Sequence, residues 1–186
     1  MKKFTPQISK AINLSGKLHD GQGRKGDGLP YIIHPFAVAL ILMDYSEDED
    51  VIVAGLLHDT VEDCDYTEEQ LIEDFGPRVA DIVMGVTEQN KEDPWQKRKD
   101  DYLAHLKGAS YEAKLICAAD KIHNLQSMIA VYEKLGKEAE KEFNAPLDKK
   151  IWFYDACYEI IKEDSNIPQE LTEKLQSALT DIKAMC

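Results

Sequence analysis

The chain has 186 residues, 44% hydrophobic and 31% charged, the balance of a folded globular domain and not of a disordered one. Its 22 Lys and Arg stand against 35 Asp and Glu, and a net charge of −13 repels the nucleic-acid backbone, so duplex DNA or RNA is not an expected partner unless a local basic patch overrides it. No apolar run reaches the roughly 18 residues of a membrane span, and Met1-Lys2-Lys3 has no apolar core behind it to make a signal peptide.

The apolar periodicity is helical almost throughout. Ile8, Ala11, Ile12, Ser15 and Leu18 form the stripe of a first helix, which Gly21, Gly23, Gly26, Gly28 and Pro30 interrupt with a loop. His34-Pro35 opens a second, with Phe36, Ala39, Leu40 and Met43 as its apolar side. The acidic stretch Glu47 to Asp50 suits the start of a third, Val51 to Asp63. Thr67 with Gln70 reads as the capping box of a fourth, ending near Phe75-Gly76, and Pro77 starts a fifth through Val86. Asn90 to Lys99 is polar enough for a loop, leading into a helix from about Asp100 to Leu106. Ser110 caps a long helix, Tyr111 to about Leu135, and two more follow over about Leu147 to Lys162 and Gln169 to Met185. No run alternates as a strand would. The expectation is an all-α fold, one orthogonal helix bundle over 1–186, with the motifs below in 8–161 and a last helix over 169–185.

Cys64, Cys117, Cys157 and Cys186 form no CxxC pair, which argues against a zinc knuckle or a disulfide framework and makes the cytoplasm the expected compartment.

Chemistry is concentrated in Leu56-Leu57-His58-Asp59-Thr60-Val61-Glu62-Asp63, an apolar helix that suddenly carries four ionisable groups. On a continuous helix Glu62 lies one turn beyond His58, and Asp63 one turn beyond Asp59. Burying such groups is costly unless a cation compensates, and imidazole with carboxylate suits manganese, iron or zinc. Asp120 interrupts an equally apolar run, Ala118-Ala119-Asp120-Lys121, with Asn124 one turn on. Taken singly, each residue also fits a plainer role. His58 suits a hydrogen-bonded core histidine, Asp120 a partner for a neighbouring lysine, and His34 a helix-entry residue. Together His34, His58, Asp59 and Asp120 make a two-His, two-carboxylate set from three helices that fits one divalent ion with positions left open.

The order His … His-Asp … Asp resembles the signature of the HD superfamily of metal-dependent phosphohydrolases. Five stretches narrow the resemblance to the hydrolase domain of RelA/SpoT-type alarmone enzymes, and to its small stand-alone form as in the metazoan SpoT homologues. They are Gly21-Gln22-Gly23-Arg24-Lys25, Pro30-Tyr31-Ile32-Ile33-His34-Pro35, Leu57 to Asp63, Phe75-Gly76 with Gly85-Val86-Thr87, and Ala119-Asp120-Lys121-Ile122-His123-Asn124. The pair Glu62-Asp63 directly after the HD dipeptide is the discriminating feature.

The resemblance implies an all-α enzyme in which His34, His58, Asp59 and Asp120 hold a manganese ion. Glu62 and Asp63 would position or deprotonate the attacking water. Arg24 and Lys25 would contact the nucleotide, Asn124 the ribose, and Lys97 and Arg98 the distal phosphates. Trp152 or Tyr154 would close the base pocket; Arg24-Lys25 and Lys97-Arg98-Lys99 also read as solvated charge clusters. The expected reaction releases pyrophosphate from the 3′ position of guanosine 3′-diphosphate 5′-di- or triphosphate, leaving GDP or GTP. The expected partner is thus a small-molecule nucleotide, with neither nucleic acid nor membrane involved, and the oligomeric state is left open. The alternatives are removal of the 2′-phosphate of NADPH, a nucleoside-5′-monophosphatase, a cyclic-nucleotide phosphodiesterase, or a non-catalytic nucleotide-binding module. Two further points stay open: preference for a guanosine or an adenosine alarmone, and service as an antitoxin to a neighbouring synthetase.

Overall fold

The structure, a computed structural model, describes residues 4–26 and 28–185; Met1-Lys2-Lys3 and Cys186, both read above, lie outside the described residues, as does residue 27. The described chain is all-α. In order it forms α1 (Pro6–Leu18), α2 (Ile33–Met43), α3 (Glu49–Leu57), α4 (Thr60–Asp63), α5 (Glu68–Phe75), α6 (Pro77–Met84), α7 (Trp95–Gly108), α8 (Tyr111–Leu135), a 3-10 segment (Gly136–Glu142), α9 (Leu147–Lys162) and α10 (Gln169–Ala184). One isolated antiparallel bridge, Gly23 to Pro30, closes the glycine-rich loop.

Side-chain caps set many of the starts. Thr5 accepts from the Ile8 N–H, Asp48 from the Asp50 N–H and Ser110 from the Ala113 N–H. Thr67 and Gln70 form the expected reciprocal capping box. Each cap satisfies amides that the first turn leaves unpaired, a gain of about 1 kcal/mol.

The central strut is α8, which packs against α2, α3, α6, α9 and α10. Leu115 to Ala119 are fully buried in it, and Leu42 of α2 and Leu57 of α3 are fully buried in the same core. Gly55 lets α2 and α3 close up, because a Cβ there would collide with the Leu42 side chain. Thus α2, the end of α3 and the middle of α8 converge, and the functional groups sit where they meet.

Three local expectations need correction. The helix expected over Val51 to Asp63 is interrupted at His58-Asp59, dividing it into α3 and α4. There the side chains compete for backbone carbonyls: His58 Nδ1 meets Gly55 O at 2.9 Å, and Thr60 Oγ1 donates to Leu57 O at 2.7 Å. Asp59 takes φ −95°, ψ −5°, the bridge region where active-site residues collect. The buried side of α2 is His34, Pro35, Val38, Ala39 and Leu42, whereas Leu40 is 65% exposed. Finally, α7 begins at Trp95, five residues before the expected Asp100, so half of the expected loop is helical.

Candidate metal centre and substrate cleft

Four helical segments deliver the charged groups to one point. His34 stands in the first turn of α2, His58 and Asp59 at the α3–α4 junction, and Asp120 midway along α8. His34 Nε2 lies 3.1 Å from Asp120 Oδ1 and 3.5 Å from Asp59 Oδ2; His58 Nε2 lies 3.2 Å from the same Asp59 oxygen. One ligand atom each from His34, His58 and Asp120 falls within a mutual 4.8 Å. All four expected ligands are therefore brought together.

The orientation of each ligand is set by a second contact. His58 is tied through Nδ1 to Gly55 O, which aims Nε2 inward, and that buried nitrogen has no hydrogen-bond partner in the protein. His34 is held through Nδ1 by His123 Nδ1 at 2.8 Å. Asp120 receives Lys121 Nζ at 2.6 Å on Oδ2 and the Asn124 amide on Oδ1. Asp59 Oδ2 accepts from the Tyr31 hydroxyl at 2.7 Å. Inward lone pairs with outward supports are the arrangement of a metal centre, and the donor set fits a divalent ion.

Electrostatics agree. Burial opposes a charged His58, yet Asp59 and Asp120 outweigh it and push its pKa up to about 9. For His34 burial prevails and lowers the pKa despite the hydrogen bond with Asp120. Both carboxyls are held below the usual range: burial alone would raise them, but His58 and His34 act on Asp59, and Lys121 and His34 on Asp120. The site thus favours positive charge even on one of its own histidines, His58.

Beside it lie Glu62 and Asp63. Glu62 Oε2 accepts the Glu88 N–H at 3.1 Å, and burial, followed by the charges of Asp59 and Asp63, pushes its pKa up to about 7. Asp63 Oδ1 accepts from Lys91 Nζ at 2.7 Å, and its Oδ2 lies 3.3 Å from the Tyr31 hydroxyl.

These groups form the floor of a cleft of about 740 Å³ lined by seven Lys or Arg and five Asp or Glu, an inverted balance in a chain of charge −13. Arg24 lines it and donates to Asn124 Oδ1 at 3.0 Å and Ser127 Oγ at 3.2 Å, with its guanidinium 5.7 Å from the Tyr31 ring. Lys25, Arg98 and Tyr154 line it too. Two expected contacts do not. Lys97 turns to solvent and pairs with Asp93 and Asp101, and Trp152, 40% exposed, is outside the cleft. Helical geometry explains both, since the faces that meet the cleft carry Arg98 with Lys99, and Phe153 with Tyr154.

Sequence reasoning passed over Tyr31, Glu88, Lys99, His123 and Lys150. Tyr31 and His123 sit within quoted motifs, so their proximity to ligands was a usable signal. Glu88 is 5% exposed, and its carboxylate takes both Arg98 and Lys99, a long-range pairing with no local signature.

The HD-domain family profile matches residues 11–145. The chain belongs to the HD-domain family, and it is an all-α, metal-site phosphohydrolase. It is 42% identical over 127 residues to the guanosine-3′,5′-bis(diphosphate) 3′-pyrophosphohydrolase MESH1 of Danio rerio, spanning 67% of this chain and 70% of that one. It is 36% identical over 138 residues to the corresponding pyrophosphohydrolase of Aquifex aeolicus, but there it spans 73% of this chain and only 20% of the relative. A solved structure described as a metazoan orthologue of SpoT that hydrolyses ppGpp superposes with a TM-score of 0.82 over the whole of both chains at 24% identity, a likeness of fold. Among the described residues, no helix is long and apolar enough to cross a membrane.

Proposed function

We propose that this enzyme cleaves the 3′-pyrophosphate from guanosine 3′-diphosphate 5′-di- or triphosphate, using manganese held by His34, His58, Asp59 and Asp120, and releases GDP or GTP. The observation that carries the reading is the inward His58 Nε2, buried without an aligned hydrogen bond and facing two carboxylates and a second imidazole, with Glu62 beside them. The named activity of the Danio rerio relative supports the substrate.

When bound, the ion supplies Lewis-acid polarisation of the phosphate and a lowered pKa for water. The chain supplies the rest. Glu62 accepts the proton of the attacking water, because its pKa near 7 suits a group that must be free to take one. Asp63, fixed by Lys91 and Tyr31, orients that water. Arg24 sits beside Tyr31 and Asn124, where a base and ribose can be held. Arg98 and Lys99 offset phosphate charge as it shifts toward the leaving group.

The test is a substrate panel of ppGpp, NADPH and deoxynucleoside monophosphate, incubated with manganese-loaded protein and resolved by anion-exchange chromatography. GDP and pyrophosphate from ppGpp are expected, with the other two consumed far more slowly. Faster release of phosphate from NADPH would replace the substrate while keeping the metal chemistry.

A further inference from the structure

The basic residues of the cleft are not equivalent. Lys91 is paired with Asp63, Lys121 with Asp120, and Arg98 and Lys99 share Glu88. Lys150 has no carboxylate within ion-pair distance among the described residues. The charged groups that act on it most strongly are cations: Lys99 from α7, Lys25 and Arg24 from the loop after α1, and Lys121 from α8. Its ammonium lies 5.7 Å from the Phe143 ring centroid and it lines the cleft.

Its position also runs against a local rule. Lys149 and Lys150 fall in the first turn of α9, at the end where the helix dipole is positive and cations are unfavourable. Only Asp148, exposed, stands there to oppose them. Sequences tend to break local preferences at functional or strained sites, and cations gathered against the helix dipole at the edge of a cleft suit an anionic ligand.

The geometry points to a second phosphate subsite centred on Lys150, with Lys25 from the facing loop, that binds the 5′-diphosphate of a nucleotide whose 3′ end is at the metal centre. The inference rests on the pyrophosphohydrolase reading above and adds the selection of substrates phosphorylated at two positions. It also carries a pH signature. Burial, then the surrounding cations, lowers the Lys150 pKa to about 8, so the subsite loses charge and affinity as pH rises through that value. An arginine at this position keeps its charge.

The experiment uses the metal-stripped 186-residue chain and GDP, so that binding is read apart from turnover, by calorimetry at pH 7 and pH 9. Wild type should bind GDP about tenfold more weakly at pH 9, as expected for loss of one charge-assisted contact. Lys150→Met should bind about tenfold more weakly already at pH 7. Lys150→Arg should bind at pH 7 like wild type and lose little by pH 9. With guanosine in place of GDP the three proteins should be alike. Equal GDP affinity in wild type and Lys150→Met, or the same pH 9 loss in Lys150→Arg, would overturn the subsite. If ppGpp were not hydrolysed yet GDP binding still followed Lys150, the substrate reading would fail and the subsite would stand as a nucleoside-diphosphate site.

Discussion

The two walls of the cleft are built in opposite ways. On the metal side, short side chains project from helices at the centre of the bundle, and each is locked by a second partner: Gly55 O for His58, His123 for His34, Tyr31 for Asp59, Lys121 and Asn124 for Asp120. On the facing side, long flexible cations come from the loop after α1, from α7 and from the start of α9. The difference teaches where precision is needed. Reacting atoms tolerate little displacement, so their supports are short and rigid, whereas a mobile polyphosphate is held well enough by charge at the end of long arms.

The sharpest break of this contrast is removal of a ligand. Asp120→Ala should abolish metal content, read by elemental mass spectrometry, and lower kcat by at least about a thousandfold, since the chemistry depends on the ion. Glu62→Gln should keep the metal and lower kcat by about 10² to 10⁴. An unchanged kcat in Glu62→Gln would remove it from the reaction. His123→Ala, which frees His34 to rotate, should weaken metal affinity about 10- to 100-fold in a chelator competition while leaving the fold intact by circular dichroism. On the opposite wall, Arg24→Ala should raise KM about tenfold with kcat nearly constant, the mark of a group that binds and does not react.

The pH profile separates the walls as well. Glu62 must be ionised to accept a proton, so kcat should fall as pH drops through its pKa and level off above it. That pKa is about 7 in the metal-free protein and is drawn lower by a bound cation, which places the acidic limb below pH 7. The limb should vanish in Glu62→Gln and persist in Arg24→Ala.

The two walls were also unequally legible in the sequence. A histidine and carboxylates inside apolar helices are conspicuous, because burial makes them costly, and all four expected ligands converge. The caps at Thr67 and Ser110 placed α5 and α8, since their signal is local. The buried face of α2 was misread because the helix is apolar on nearly every side, leaving no stripe to identify Val38 and Leu42 over Leu40. The interruption at His58-Asp59 was missed because side-chain capture of Gly55 O and Leu57 O is invisible to periodicity. Lys97 was preferred to Lys99, and Lys150 overlooked, because a lysine in a polar stretch looks the same whether it faces a cleft or water. Only the packing of α7 and α9 tells them apart.

The most direct test of the central claim, that the His34–His58–Asp59–Asp120 wall does its chemistry through one bound ion, is a titration of manganese into metal-stripped protein while pyrophosphate release from ppGpp is followed. The account predicts no release before addition and a rate that rises in proportion to occupancy, saturating at one ion per chain. Release at full rate from stripped protein, or saturation unrelated to metal content, would contradict it.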